Sequence, residues 1–210
     1  MLTLYGARGS GSAAIEAALV LCGTDYRVVT AATWEADSAL DELRRANPLQ
    51  QVPTLVLDDG SVLTESAAIL IHLGLAHPAS NLLPADAAAR AQAIRGLVFI
   101  AANCYAAIGV IDYPERWCAD AGAAATENLR RGARARLHRY WDVFADTFGA
   151  PQPFFGGTAP GALDIHAAVV SRWSGARAHL KRVRPALHAL IGRVDSHPAL
   201  APLFTRHWPG

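Results

Sequence analysis

The chain has 210 residues, of which 52 % are hydrophobic and 18 % charged, with a formal net charge of +1. This composition excludes a disordered or low-complexity chain, and the near-zero charge provides no field to attract nucleic acid or an anionic membrane surface. The three cysteines form no Cys-x-x-Cys pair, so neither a disulfide framework nor a zinc ribbon is predicted. We expect a compact globular protein with reduced thiols. The N-terminal segment has no signal-peptide pattern, which favours a cytoplasmic location.

Strand and helix patterns alternate over residues 1–77. Leu2–Tyr5 and Tyr26–Val29 are β-prone runs, and Ala13–Cys22 between them has a helical pattern, so these three elements predict a right-handed unit with two parallel strands. The remaining predicted elements, in chain order, are a short helix around Asp37–Arg45, a hairpin of Thr54–Leu57 and Ser61–Leu63, and a helix over Glu65–Leu73. The predicted order is therefore β-α-β-α-β-β-α.

A second domain is predicted from residue 87 onward. The first 80 residues carry a net charge of −5 and the rest +6, and residues 78–86 have the Pro and small-residue content of a linker. Only helical patterns follow, so we predict an all-α domain over residues 87–210. Leu97–Ile111 is interrupted by Asn103 and is shorter than the roughly 18 residues of a membrane span, which indicates a buried helix. The predicted helices are Ala87–Ile111, Ala124–Phe148, Leu163–Trp173 and Pro185–Ser196.

The segment Asn47-Pro-Leu-Gln-Gln-Val-Pro53, with the hairpin and Leu63-Thr-Glu-Ser-Ala-Ala-Ile69 after it, resembles the glutathione-binding signature of the glutathione S-transferase family. The resemblance covers essentially the whole chain, because that family also has an all-helical second domain of this size. It implies a thioredoxin-like N-terminal domain and a homodimer. It also implies reduced glutathione as co-substrate, conjugated to a small apolar electrophile in detoxification. A non-catalytic glutathione-binding or adaptor protein and a glutathione-dependent isomerase are the alternatives.

Six residues are implied to bind glutathione: Gly11, Gln51, Val52, Pro53, Glu65 and Ser66. The bond between Val52 and Pro53 would be cis, leaving the Val52 backbone free to pair with the cysteinyl part of the tripeptide. Ser66, at the start of a helix, would bind the γ-glutamyl carboxylate while Glu65 faces its ammonium group, and Gln51 would point toward the glycyl end. The alternatives are a trans proline at a sheet edge, ordinary helix capping and a solvated loop glutamine.

The resemblance places the catalytic hydroxyl in the loop after the first strand. Ser10 lies where the Ser-type classes keep their serine, Gly11 lies where the beta class has its cysteine, and Ser12 is a second candidate donor. A hydroxyl and a helix N-terminus together favour a thiolate over a thiol. The alternative for both serines is capping of the helix that follows. The absence of a cysteine at residues 10–12 argues against disulfide-reductase chemistry.

The electrophile pocket is expected on the first helix of the second domain. Tyr105 lies where the beta class has an active-site histidine and Asn103 where it has an acid, while Tyr113 and Trp117 would add aromatic walls. Core packing, or an interhelical hydrogen bond for Asn103, is the alternative. Asp164 is predicted to be structural, in a capping box whose first residue is Gly161. The histidines show no metal-ligand spacing, so no metal site is predicted.

Overall fold

The first part of the chain forms a four-stranded mixed sheet. In the computed structural model, which describes residues 1–32, 34–35, 38–120, 122–149 and 153–209, the strands lie in the order β2-β1-β3-β4. Strand β1 pairs in parallel with β2 and antiparallel with β3, placing Leu4 opposite both Val28 and Leu55. The predicted thioredoxin-like arrangement is confirmed. The strands are β1 (Leu2–Gly6), β2 (Tyr26–Thr30), β3 (Thr54–Val56) and β4 (Val62–Leu63).

Three helices cover this sheet: α1 (Ser12–Cys22), α2 (Leu40–Ala46) and α3 (Ser66–Ala76). The predicted start of the second helix, Asp37, lies outside the described residues. Helix α3 is predicted to end at Gly74 but continues to Ala76. Gly74 does not end the helix; it allows a close contact with the linker. A Cβ atom at Gly74 would lie 2.5 Å from the Leu83 Cγ atom, so only glycine lets the linker approach the helix here.

The second part of the chain is helical, as predicted. Residues 87–112 form one continuous helical run in which Ile100–Tyr105 is π-helical, and Asp86 caps it by accepting a 2.8 Å hydrogen bond from Ala89 N–H. Helices α8 and α10 lack a sequence prediction, and α7 ends three residues before the predicted Trp173. The helices are α4 (Ala87–Phe99), α5 (Ala106–Asp112), α6 (Ala123–Phe148), α7 (Ala162–Val170), α8 (Ala176–Val183), α9 (Pro185–Asp195) and α10 (Ala201–His207).

Both parts of the chain share one hydrophobic core. Every residue of α7 is buried, and this helix packs against α1 and α3 of the first domain as well as α4 of the second. The linker is part of this core, since Leu82 and Leu83 are buried and the Leu82 carbonyl accepts a 2.8 Å hydrogen bond from Ala162 N–H. The two domains therefore pack against each other through a shared core, and this packing sets the position of both sides of the cleft.

Among the described residues, Ala87–Asp112 is the one helical run whose length and apolarity suffice to cross a membrane. Its most apolar window has a mean hydropathy of 1.8, and 39 % of that window is buried inside the protein. Here the run packs against α6 and α7. Because the core helix of a water-soluble domain passes the same test, this feature is weak evidence for a membrane location.

Candidate functional site

A cleft of about 900 Å³ lies between the two domains. The first domain contributes the loop after β1, the segment before β3 and the start of α3. The second domain contributes the π-helical segment, α5 and the residues that follow it. Most of the predicted site residues line this cleft: Ser10, Gly11, Gln51, Val52, Pro53, Glu65, Ser66, Tyr105, Tyr113 and Trp117.

The loop after β1 distinguishes the two candidate serines. Ser10 lines the cleft, whereas Ser12 does not and has no exposed surface. The Ser12 hydroxyl turns back into the loop, where it accepts a hydrogen bond from Ala7 N–H at 3.2 Å and lies 2.9 Å from Ser10 Oγ. The structure therefore does not support Ser12 as a catalytic donor, because a buried and already bonded hydroxyl cannot reach a ligand in the cleft. Gly11, not a serine, is the residue that precedes α1, and the N-cap of this helix has no side-chain hydrogen bond.

Hydrogen bonds from the side chains of Asn47 and Thr54 hold the segment before β3 in place at the edge of the cleft. Asn47 donates through Nδ2 to the Thr54 hydroxyl at 3.0 Å and to the Gln51 carbonyl at 3.2 Å, and the Thr54 hydroxyl donates to that same carbonyl at 2.8 Å. The Val52–Pro53 peptide bond is cis. This network fixes the backbone on both sides of Val52, the residue whose backbone is expected to pair with an extended peptide.

The start of α3 presents a strained carboxylate residue and a helix N-terminus to the cleft. Glu65 has φ 62° and ψ 111°, a conformation that is rare for a residue with a side chain and costs about 1–3 kcal/mol. Ser66, the first residue of α3, is 9 % exposed and lines the cleft with Glu65 and Thr64. Strain of this kind persists where the surroundings impose it. The N-terminus of α3 lies at the cleft, where an anionic group would be stabilised.

The second-domain wall is aromatic, but one of its predicted members lies elsewhere. Tyr105, Tyr113 and Trp117 line the cleft, and the Tyr113 ring is covered by the Arg116 guanidinium at 4.0 Å. Asn103 does not line it. The Asn103 amide donates to the Phe99 carbonyl at 3.0 Å within the same helical run, so it has a local partner and serves the π-helical segment.

Several cleft residues carry no signal in the sequence that would single them out. Trp173 packs its ring 5.7 Å from that of Tyr105, and His166 of α7 lies fully buried at the base of the cleft. Neither nitrogen of His166 has a hydrogen-bond partner among the described residues. A lone histidine or tryptophan in a helical pattern is more often part of the core, so only the assembled cleft identifies these two.

Burial governs the electrostatics of the cleft. Burial, with smaller contributions from Asp112 and Glu65, raises the pKa of Tyr105 to about 12, so its phenol stays protonated. Burial also lowers the pKa of His166 to about 4, which keeps this imidazole neutral near pH 7. The pKa of Asp112 is raised for the same reason. Tyr105 and His166 thus stay neutral near pH 7. The described residues include no cluster of three or more potential metal ligands.

Comparison with known proteins agrees with this arrangement. Residues 1–74 match the family model of the glutathione S-transferase N-terminal domain. This match assigns the first domain, residues 1–74, to the glutathione S-transferase N-terminal domain family. The chain is similar to an uncharacterized GST-like protein, YncG, of Escherichia coli K12, with 37 % identity over 131 residues, which cover 61 % of this chain and 63 % of that one.

Two further proteins to which this chain is similar have more specific descriptions. A probable maleylacetoacetate isomerase of Caenorhabditis elegans is 41 % identical over 86 residues, covering 41 % of this chain and 39 % of that protein. A glutathione transferase homolog from Sulfitobacter, solved with bound glutathione, has the same fold, with a TM-score of 0.84 and 22 % identity over 97 % of this chain and 96 % of that one. The chain thus spans 63 % of the length of YncG and 39 % of the length of the probable isomerase.

Proposed function

We propose that this protein is a glutathione transferase that binds reduced glutathione in the cleft, stabilises its thiolate and adds it to a small apolar electrophile. One observation carries the proposal. Three separate parts of the first domain meet in one cleft: the N-terminus of α1, the backbone around Val52 and the N-terminus of α3. These parts match, in order, the thiol, the peptide backbone and the γ-glutamyl carboxylate of the tripeptide.

These positions are compatible with the roles that the family resemblance implies for the binding residues. Ser66 and the backbone N–H groups at the start of α3 bind the γ-glutamyl carboxylate, and Glu65 faces the ammonium group. The Val52 backbone pairs with the cysteinyl residue, and Gln51 faces the glycyl end. The sulfur then lies at the N-terminus of α1 beside Ser10 and Gly11, where the helix dipole lowers the pKa of the thiol.

The second-domain wall would hold the electrophile. Tyr105, Tyr113 and Trp117 present aromatic surface opposite the sulfur position, which favours an apolar or aryl substrate. In the transfer step the thiolate sulfur forms a bond to carbon. The electron pair it displaces leaves with a leaving group, or moves onto the electrophile, which then takes a proton from water.

The test is a titration of the purified protein with glutathione, following thiolate absorbance as the pH is varied. A bound thiol that ionises well below its free value, together with turnover of an aryl halide or an enone, supports the proposal. Ser66→Ala should weaken glutathione binding about tenfold or more, since a hydrogen bond to a charged group is lost. Ser61→Ala, in the exposed hairpin turn, is the matched control. Binding with an unshifted thiol would indicate a non-catalytic binder, and absent binding would refute the proposal.

A glutathione-dependent isomerase is a second candidate. The 41 % identity over 86 residues to a probable maleylacetoacetate isomerase favours it. In that reaction glutathione would add to a double bond and leave again, so it is regenerated. Incubation with maleylacetoacetate separates the two functions: isomerisation without glutathione consumption supports the isomerase, and a stable adduct supports the transferase.

We also propose a homodimer. Leu75 on α3 and Val98 on α4 are 58 % and 50 % exposed, and exposed aliphatic side chains on neighbouring helices favour a self-association face. Sedimentation of the native protein and of a Leu75→Glu/Val98→Glu variant tests this directly. A dimer that the variant converts to a monomer supports the proposal, and a monomeric native protein contradicts it.

A further inference from the structure

The hydroxyl of Tyr105 lies directly over Gly11. A Cβ atom added to Gly11 would overlap this hydroxyl oxygen, while it would lie 3.4 Å from the Tyr105 Cζ atom, an ordinary contact. The conflict therefore involves the hydroxyl alone, so a side chain at position 11 would force the hydroxyl at position 105 to move. Tyr105 belongs to the second domain, yet its hydroxyl reaches the N-terminus of α1.

The Ser10 hydroxyl, by contrast, is already engaged within its own loop. Ser10 Oγ lies 2.7 Å from the Ala7 carbonyl and 2.9 Å from Ser12 Oγ, and it accepts from Ser12 N–H at 3.2 Å. Ser12 Oγ can itself donate to the Ala7 carbonyl at 3.2 Å. Whichever serine donates to the other, both hydroxyl hydrogens have an acceptor inside the loop. A sulfur atom would have to displace one of these bonds to receive a hydrogen from Ser10.

Tyr105 has no such engagement. Within the part of the chain that the structure describes, its hydroxyl makes no hydrogen bond, although it faces the cleft. Its ring packs against Trp173 with 5.7 Å between ring centres, which fixes the direction of the phenol. The high pKa of this phenol keeps its proton in place, so it can act as a donor throughout the neutral range.

We propose that the Tyr105 hydroxyl donates the hydrogen bond that stabilises the glutathione thiolate, and that Ser10 is a positioning residue that orders the loop. This rests on the proposed function, because it requires glutathione with its sulfur at the N-terminus of α1. The thiol proton leaves to solvent and the phenolic proton stays on its oxygen, so no proton is transferred between them. Gly11 is then required because it leaves room for the donor.

The experiment measures the pKa of the bound glutathione thiol by ultraviolet titration in native protein and in Tyr105→Phe. Loss of one hydrogen bond to a charged sulfur should raise this pKa by about 1–2 units. The affinity for S-methylglutathione should stay unchanged, because this ligand has no thiol to ionise. A purely structural defect would weaken the binding of S-methylglutathione as well. Tyr140→Phe, a tyrosine on α6 that does not line the cleft, is the matched control.

Two further variants separate Tyr105 from Ser10. Ser10→Ala should raise the thiol pKa less than Tyr105→Phe does. Gly11→Ala should reproduce the Tyr105→Phe shift by displacing the hydroxyl, yet cause no added shift in the Tyr105→Phe background, where the new Cβ fits.

The outcomes distinguish this inference from the proposed function. Native protein that lowers the thiol pKa, with the lowering kept in Tyr105→Phe and lost in Ser10→Ala, overturns the assignment and leaves the transferase intact. Native protein that does not bind glutathione, or binds it with an unshifted thiol, overturns both.

Discussion

Replacing Asp164 with alanine tests how the loop before α7 is held against the core. The Asp164 carboxylate is fully buried and accepts three backbone hydrogen bonds, from Phe155 N–H at 2.8 Å and from Gly156 and Gly161 N–H at 2.9 Å each. Burial raises the pKa of this carboxyl to about 6, so at pH 8 it is ionised. In Asp164→Ala, three N–H groups lose their acceptor in a region that water does not reach.

The magnitude follows from these three groups. A buried donor left unpaired costs about 1–3 kcal/mol, and part of this is recovered because a charge no longer has to be buried. We expect Asp164→Ala to lower the free energy of unfolding by about 3–5 kcal/mol. Asp164→Asn keeps one oxygen, which can still accept from Gly156 and Gly161, so it should lose about half as much.

Urea denaturation at pH 8, followed by circular dichroism and tryptophan fluorescence, measures these differences. Asp146→Ala is the matched control, because the Asp146 side chain is 67 % exposed and its ion pair with Arg184 at 3.0 Å lies at the surface. Such a pair contributes about 0–1 kcal/mol. If Asp164→Ala costs no more than this control, the three buried hydrogen bonds do not hold the loop and the reasoning is refuted.

Three further predictions concern the core and the chain termini. Burial lowers the His166 pKa from 6.5 to about 4, so between these pH values the unfolded state binds a proton that the native state does not. As the pH drops from 7 to 4, the native protein should therefore lose about 3 kcal/mol of stability relative to His166→Leu. Parallel pH profiles of the urea midpoints of the two proteins would contradict this. Phe144→Ala should cost about 3–5 kcal/mol in thermal or urea unfolding, since Phe144 is fully buried, whereas Val143→Ala at a 39 % exposed site should stay within about 0.5 kcal/mol; equal losses would refute this. His207→Leu should lower stability by about 2–3 kcal/mol because it removes a buried 2.8 Å hydrogen bond to Glu16, and an unchanged melting temperature would show that this bond is not needed.

Much of the first domain could be predicted from short-range patterns. Strand β1, helix α1, strand β2 and the β3–β4 hairpin lie within one or two residues of their predicted bounds, because alternation, helical spacing and an Asp-Gly turn are local properties. Helices α8 and α10 were beyond such reasoning. Each is only seven or eight residues long, and helices of that length are stable only through packing against the rest of the protein.

Some features of the candidate site could likewise be predicted from local sequence, and others could not. Asn47-Pro-Leu-Gln-Gln-Val-Pro53 and Glu65-Ser66 are contiguous motifs, so their resemblance to a known family was visible in the sequence. That resemblance implies where an extended peptide and its carboxylate are expected to bind. The sequence could not rank Ser10 against Ser12, because their difference is which hydroxyl faces the cleft and which is bonded inside the loop.

The relation between Gly11 and Tyr105 was also decided by tertiary structure alone. In the sequence, Gly11 occupies the position where the beta class has its cysteine, and Tyr105 is an aromatic residue on a predicted helix of the other domain. The shared core that includes α1 and the π-helical segment brings the two together, so that the absence of a side chain at one position creates the space for a hydroxyl at the other. Local patterns determine which elements form, whereas contacts between residues far apart in the chain determine which atoms meet in the cleft, since those contacts depend on packing rather than periodicity.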